Sequence, residues 1–139
     1  MLEKSCGTIP YTVRDGVINY LLICTKSGRT CSFPKGHVEK GESETETALR
    51  ETFEETSVRV NIEDNFRYET TYLLANGNHK TVIYFLGSFS GQEPKRNADF
   101  EDYAYLLLPY EKALSALSFK SAKEMLKKAN ELLLKKGKI

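Results

Sequence analysis

The sequence has almost no excess charge of either sign. Its 20 lysines and arginines are balanced by 19 aspartates and glutamates, which leaves a formal net charge of +1. A protein that binds nucleic acid or a membrane surface electrostatically carries a concentrated basic patch, and this balance disfavours both classes. We therefore expect no stable nucleic-acid partner and no membrane attachment.

Long hydrophobic runs are also missing. No stretch approaches the roughly 20 apolar residues that a transmembrane helix needs. The start, Met1 to Lys4, lacks the basic region and following apolar segment that mark a secretory signal. The expected location is cytoplasmic.

Cysteines are few, and their pattern does not indicate a metal site. Cys6, Cys24 and Cys31 are odd in number and follow no known ligand spacing. Cys24 lies in the apolar run 20–24, where a small buried side chain is the usual role. We expect all three to be reduced thiols, which leaves little support for thiol catalysis.

No repeat, linker or low-complexity segment divides the 139 residues, so we expect one domain over residues 1–139. A domain of this length buries about two-thirds of the surface that its unfolded chain exposes. Strand-like patterns cover 8–14, 19–25, 58–62, 68–74, 80–89 and 103–108. Residues 91–99 are expected to form an exposed loop. Strands and helices that alternate in this way predict an α/β/α sandwich with a mixed sheet.

Three helices are predicted. Ser43 and Glu46 form a capping box, which predicts a helix that begins at Glu44. Pro109 suits the first turn of a second helix, and Ser118 is the expected cap of a final helix over 122–136. The buried side of the first helix is expected to include Ala48, Leu49, Thr52 and Phe53.

Three glutamates fall close together on the first helix. Glu51, Glu54 and Glu55 stand at i, i+3 and i+4, so a helix places them on one side. Like charges at this spacing repel, and a hard divalent cation with a preference for oxygen ligands would reverse that cost. The alternative is a solvated, glutamate-rich surface helix.

The wider pattern resembles the Nudix box, G-x5-E-x7-R-E-U-x-E-E-x-G-U, in which U is aliphatic. The matching residues are Gly36, Glu42, Arg50, Glu51, Glu54, Glu55 and Val58. Thr52 replaces an aliphatic residue, and Ser57 replaces the glycine that ends the helix. The resemblance implies an α/β/α fold and metal-assisted hydrolysis of a nucleoside diphosphate linked to another moiety.

The similarity extends beyond the box. The segments 33–39, 46–52 and 80–85 are similar to those of asymmetrical diadenosine tetraphosphate hydrolases within the Nudix family. Glu101 resembles their additional acidic ligand, and Phe119 falls where they carry an aromatic residue over the base.

This resemblance implies a site for Mg²⁺, with Mn²⁺ as an alternative. The implied metal ligands are the Lys35 carbonyl and the carboxylates of Glu51, Glu54, Glu55 and Glu101. The general base is either Glu51 or Glu101. Arg50, four residues before Glu54, is expected to hold that carboxylate in place, although an exposed pair of this kind contributes little. Glu42 is expected to fix the loop, through either a backbone contact or Arg50.

The implied substrate is a nucleotide small molecule. Its expected contacts are His37, Tyr72, Lys80, Tyr84 and Phe119. Lys80 would contact a distal phosphate, Tyr72 and Phe119 would stack on a base, and Tyr84 is equally consistent with an ordinary core residue.

Three further readings remain. Another Nudix specificity would act on nucleoside triphosphates, RNA 5′ ends or diphosphoinositol polyphosphates. A noncatalytic nucleotide-sensing domain belongs to a different class, and such domains commonly lose box carboxylates. The solvated helix requires no site at all. The favoured hypothesis is cleavage of diadenosine tetraphosphate to ATP and AMP.

Overall fold

The computed structural model describes residues 2–25, 27, 30–95 and 103–137. Glu101 therefore lies outside the described residues, as does part of the predicted loop 91–99. The elements in chain order are β1 Leu2–Arg14, β2 Val17–Thr25, β3 Cys31–Ser32, β4 Lys35–His37, α1 Glu44–Thr56, β5 Asn61–Leu73, β6 His79–Ser88, β7 Tyr103–Pro109, α2 Tyr110–Ala116 and α3 Lys120–Lys135. No described helix is long and apolar enough to cross a membrane.

The seven described strands form one mixed sheet. Its path is β3-β2-β1-β6-β5, with β4 paired to β1 and β7 paired to β2. β1 and β6 run parallel, from Leu2 opposite His79 to Tyr11 opposite Ser88, and the other pairs are antiparallel. The mixed sheet predicted from the sequence is confirmed.

Helices cover both faces of this sheet. On one face Ala48 of α1 packs against Cys6, Ile83 and Phe85. On the other face α2 and α3 contribute to the main core, where the fully buried Leu126 joins residues of β1, β2 and β6. This arrangement is the α/β/α sandwich, and it leaves α1 beside β1 and β4.

The start of α1 is as predicted. Ser43 Oγ accepts a hydrogen bond from the Glu46 N–H at 3.1 Å, and Glu46 Oε1 accepts one from the Ser43 N–H at 2.9 Å. The helix ends at Thr56, and Ser57 adopts the left-handed conformation at φ 62° while donating its N–H to the Phe53 carbonyl. Serine thus performs the capping role that usually favours glycine.

The prediction for the buried side of α1 is wrong at two positions. Leu49 and Phe53 are 36% and 39% exposed, whereas Ala48 and Thr52 are fully buried. Each residue turns the helix by 100°, so the residues next to the buried ones rotate away from the sheet. Thr52 Oγ1 lies 2.7 Å from Thr8 Oγ1, which satisfies two buried hydroxyls at once.

Two boundary predictions also need correction. Residues 58–62 and 68–74 were predicted as separate strands, but residues 61–73 form the single strand β5, which carries a register shift between Ile62 and Arg67. Ser118 does not cap α3. The capping position is Phe119, which makes no side-chain capping bond, and the helix begins at Lys120.

The prediction that all three cysteines are reduced thiols is wrong as well. Cys24 and Cys31 form a disulfide, and Cys6 is a free, buried thiol. Cys24 and Cys31 are directly opposite one another in the antiparallel pair β2–β3, with their Cα atoms 4.0 Å apart. The antiparallel pairing of β2 with β3 brings together two residues whose sequence spacing carries no recognised signal.

Candidate active site

The site is built where α1 meets the backbone of β4. Gly36 in β4 passes so close to α1 that a Cβ built on it would overlap the Glu51 carboxylate. Any side chain at position 36 would therefore displace Glu51. The box glycine is required by this close approach and not by an unusual backbone angle.

Arg50 connects the loop before α1 with the glutamates on the helix. Its guanidinium forms a two-bond contact with Glu42, at 2.7 and 3.0 Å. It also donates to Glu51 at 2.7 Å, to Glu54 at 3.3 Å and to the His37 carbonyl at 3.0 Å. Charge-assisted bonds of this kind fix orientation as well as adding energy. Arg50 therefore orders three carboxylates and the β4 backbone together.

Glu42 makes both of the contacts that the sequence left as alternatives. Besides Arg50, it accepts hydrogen bonds from the Glu39 N–H at 3.0 Å and the Thr47 hydroxyl at 2.9 Å. The Arg50 hydrogen bond, followed by the backbone bond from Glu39, lowers the pKa of Glu42 to about 2. Glu42 is therefore ionised throughout the neutral range and holds the loop in place.

Glu55 lies in a very different environment. Burial raises its pKa to about 8, and the charge of Glu51 adds to the rise. The ammonium and a backbone hydrogen bond of Lys35 act in the opposite direction. A half-buried carboxyl beside a second carboxylate is stabilised in its charged form by an added cation.

The oxygen donors fit a hard divalent cation in kind, although they are not assembled around a common centre. Within the described ranges, no three His, Cys, Asp or Glu side chains are grouped to hold a metal ion. Glu51 and Glu54 instead point to Arg50. Carboxylate oxygens are the ligands that Mg²⁺ and Mn²⁺ prefer.

A cavity of about 440 Å³ opens beside this cluster. Its lining residues are Ser32, Lys35, Tyr68, Thr70, Tyr72, Val82, Tyr84, Phe119, Ser121, Ala122 and Met125. Two of these residues connect it to the carboxylates. The charge of Glu55 contributes to the raised pKa of Tyr84, and Lys35 interacts with the same carboxyl group.

The aromatic residues predicted to bind the substrate lie together in this cavity. Tyr72 and Phe119 are 44% and 53% exposed, whereas Tyr84 is almost fully buried and packs edge-on against Phe33 at 6.4 Å between ring centroids. Exposed rings in a cavity present their faces to a ligand, whereas a buried ring forms its wall. Tyr84 is thus a core residue that also lines the cavity, and its predicted contact with the substrate stays a prediction.

Neither of the two predicted polar contacts, Lys80 and His37, is among the residues that line the cavity. Lys80 is directly opposite Tyr72 in the β5–β6 pair, and its charge is close enough to Lys35 to lower the pKa of that lysine, which burial lowers most. The His37 side chain is exposed, with Nε2 3.9 Å from Glu3 Oε1, and it does not line the cavity.

Three lining residues were not predicted from the sequence as contacts of the cavity. Lys35 was expected to act only through its carbonyl, and Tyr68 and Thr70 were not predicted at all. Residues 68, 70 and 72 alternate along β5 and so share one face of the strand. This period of two was the available signal once Tyr72 had been selected.

The chain is similar to known proteins in both sequence and fold. The asymmetrical bis(5′-nucleosyl)-tetraphosphatase of Mus musculus is 34% identical over 143 residues, which cover 96% of this chain and 97% of the relative. The protein of the same name from Caenorhabditis elegans is 32% identical over 97 residues, covering 67% and 70%. A solved binary complex of C. elegans Ap4A hydrolase superposes with a TM-score of 0.83 at 26% identity, covering 95% of this chain and 98% of that chain. The NUDIX domain model matches residues 9–129, and the chain therefore belongs to the Nudix hydrolase family.

Proposed function

We propose that this Nudix hydrolase cleaves dinucleoside polyphosphates in the presence of Mg²⁺, and that it splits diadenosine tetraphosphate into ATP and AMP. The observation that carries the proposal is the junction of the aromatic cavity with the glutamate cluster. Lys35 and Tyr84 line the cavity and both interact with Glu55. The names of the similar mammalian and nematode proteins support the same substrate class.

The metal would be held by the Lys35 carbonyl and by Glu51, Glu54 and Glu55, with Glu101 as a further ligand. Hydrolases of this family generally use divalent metals, and such an ion polarises a phosphoryl oxygen and neutralises charge on the phosphates. The protein contributes the position of the carboxylates. Arg50 orders Glu51 and Glu54.

A general base must also remove a proton from the attacking water. Glu51 and Glu101 are the two candidates, and comparison of Glu51→Gln with Glu101→Gln at saturating metal distinguishes them. Loss of a general base costs about 10²- to 10⁴-fold in rate and changes the pH dependence of kcat.

The polyphosphate would lie between the cations and the aromatic rings. Lys35 and Lys80 place two ammonium groups close together, and an anion between them relieves their mutual repulsion. Tyr72 and Phe119 are exposed at the cavity and available to stack on adenine. A substrate held in this way at one end meets the carboxylates away from its centre, which accounts for asymmetric cleavage.

A noncatalytic nucleotide-sensing role is less well supported, because the chain retains every glutamate of the box and the glycine that admits Glu51. Other Nudix specificities require the same metal cluster. These specificities differ in the part of the substrate that binds in the cavity, so the substrate panel distinguishes them.

The test is a panel of substrates with Mg²⁺, resolved by chromatography. It contains diadenosine tetraphosphate, nucleoside triphosphates, capped and triphosphorylated RNA, and diphosphoinositol polyphosphates. We expect the highest kcat/KM for diadenosine tetraphosphate, with ATP and AMP as products. Two molecules of ADP, or preference for another member of the panel, would contradict the proposal.

The aromatic contact has its own variant and control. Base stacking is worth about 1 to 3 kcal/mol in single-stranded nucleic-acid sites, so Phe119→Ala should lower kcat/KM by about tenfold or more. Leu134→Ala is the control, because Leu134 is 47% exposed in the last turn of α3, far along the helix from Phe119. An unchanged kcat/KM in Phe119→Ala would remove the stacking role.

A further inference from the structure

The two-residue strand β3 is held on both of its edges. On one edge, both backbone groups of Cys31 bond to Ser118: the Cys31 N–H donates to Ser118 Oγ at 2.8 Å, and the Ser118 N–H donates to the Cys31 carbonyl at 3.2 Å. On the other edge, Cys31 is opposite Cys24 of β2. Ser118 is therefore hydrogen-bonded to β3 through both its side chain and its backbone.

The direction of the Cys31 backbone groups accounts for the position of the disulfide. Because the backbone groups of Cys31 point to Ser118, Cys24 and Cys31 form a pair without hydrogen bonds between them. The next pair along has one, from the Thr25 N–H to the Thr30 carbonyl at 2.9 Å. In antiparallel sheets the non-hydrogen-bonded pairs bring side chains closest together. The disulfide thus ties β2 to the strand that holds Ser118.

This connection reaches the cavity through the residues that follow each partner. Phe119 comes directly after Ser118, Ser32 comes directly after Cys31, and both line the cavity. Phe119 is 53% exposed and is the residue directly before α3, which begins at Lys120. The position of this ring therefore depends on the backbone that Ser118 fixes.

We propose that Ser118 is a positioning residue that acts through Phe119, and that the Cys24–Cys31 disulfide holds the strand to which Ser118 is bonded. The inference rests on the proposed function, in which Phe119 stacks on a base. The proposal adds a consequence that stacking alone does not have. Affinity for the substrate should depend on whether Cys24 and Cys31, which lie outside the glutamate cluster, are oxidised or reduced.

The redox step is a thiol–disulfide exchange. A dithiol such as dithiothreitol supplies two electrons. One thiolate attacks one sulfur of the disulfide and releases the other cysteine, and the second thiolate then attacks the reagent's own sulfur in the mixed disulfide and releases the remaining cysteine. The reagent becomes a cyclic disulfide, and Cys24 and Cys31 each end as a protonated thiol. Covalent constraint on β3 is then lost, and only the hydrogen bonds remain.

The first experiment is a double-mutant cycle on KM and kcat for diadenosine tetraphosphate. Ser118→Ala should raise KM by about fivefold, the ratio equivalent to a hydrogen bond of about 1 kcal/mol, with kcat unchanged. Ser118→Thr keeps the hydroxyl, so its KM should stay close to that of wild type. Ser115→Ala, in the exposed surface of α2, is the matched control.

The cycle separates positioning from general stability. If Ser118 acts through Phe119, then Ser118→Ala causes no further rise of KM in a Phe119→Ala background. A rise of the same size in both backgrounds would show that Ser118 does not act through the ring, and would overturn the proposal. If Phe119→Ala itself has no effect, the stacking function fails instead.

The second experiment tests the disulfide in wild-type protein. Thiol titration of the unfolded chain should find one thiol before reduction, from Cys6, and three after it. Reduction should raise KM by about two- to fivefold without changing kcat. A Cys24→Ser, Cys31→Ser double variant should match the reduced protein and not respond to the reagent. Three thiols before reduction, or an unchanged KM after complete reduction, would overturn the role of the disulfide.

The third measurement does not need substrate turnover. Hydrogen exchange at the backbone amides of residues 118 to 123 should become faster in Ser118→Ala and in the reduced protein, because the Ser118 N–H is bonded to Cys31 and the Lys123 N–H to the Phe119 carbonyl. If exchange becomes faster but the protein does not cleave diadenosine tetraphosphate, the contact between Ser118 and Cys31 is supported and the proposed substrate is refuted. Unchanged exchange would refute the contact itself.

Discussion

Glu55 should destabilise the metal-free protein at neutral pH, so Glu55→Gln should stabilise it. Burial, reinforced by the charge of Glu51, raises the pKa of Glu55 from 4.5 to about 8. Between these values the folded state holds a proton that the unfolded state has released. The free energy of unfolding therefore decreases as pH rises through this window, and the variant lacks that decrease.

The magnitude follows from the size of the window. One pKa unit corresponds to about 1.4 kcal/mol, and pH 7 lies about 2.5 units above the ordinary carboxyl value, which sets a limit of about 3 kcal/mol. Because Glu55 is only partly buried and solvent screens its charge, the observed effect is smaller than this limit. We expect the free energy of unfolding of Glu55→Gln to exceed that of wild type by about 1 to 3 kcal/mol at pH 7. The two should match below about pH 4, where the folded and unfolded states both hold the proton.

Urea denaturation followed by circular dichroism measures this difference, with EDTA present to remove metal. Glu124→Gln is the control, because Glu124 is an exposed carboxylate on α3. Added Mg²⁺ should then stabilise wild type more than Glu55→Gln, since a ligand that binds the folded state raises its stability. The same pH dependence of stability in wild type and Glu55→Gln would refute the reasoning.

Two further predictions concern the rest of the motif. Gly36→Ala should lower activity by about 10²-fold with little change in the free energy of unfolding, because the added Cβ displaces the Glu51 carboxylate while the end of that side chain can move. Full activity in this variant would contradict the close approach. Glu42→Gln should lower the free energy of unfolding at about pH 6. Because the pKa of Glu42 is lowered to about 2 in the folded state, its charge stabilises the fold less and less as pH falls towards 2, and the difference from wild type should disappear there. Urea midpoints at both pH values check this, and an equal deficit at low pH would show that the charge is not responsible.

The motif predicted the start of α1 well because the contacts that set it are local. The capping box, the start of α1 and the spacing of Glu51, Glu54 and Glu55 all depend on residues within a few turns. The buried side of α1 was harder. Leu49 and Phe53 were selected for hydrophobicity, yet the orientation of the helix placed small and hydroxyl side chains against β1.

The remaining features depend on contacts between distant parts of the chain. The side chain of Ser118 bonds to Cys31, which lies 87 residues away, and is therefore used for that contact instead of a helix cap. The Cys24–Cys31 disulfide depends on the register of β2 and β3, and local composition carries no information on register. The predicted role of Glu101 lies outside the described residues and stays a prediction.

The parallel pairing of β1 with β6 has a consequence for synthesis of the protein on the ribosome. Residues 2 to 11 take their long partner from residues 79 to 88, so the central pairing of the sheet waits until more than half of the chain has been made. Until then β1 can pair only with β2, over residues 11 to 14, and with β4, over residues 5 to 7. Non-local strand pairing of this kind slows folding and leaves strand edges exposed to other chains. We therefore expect a chaperone that acts during synthesis to bind the N-terminal strand β1.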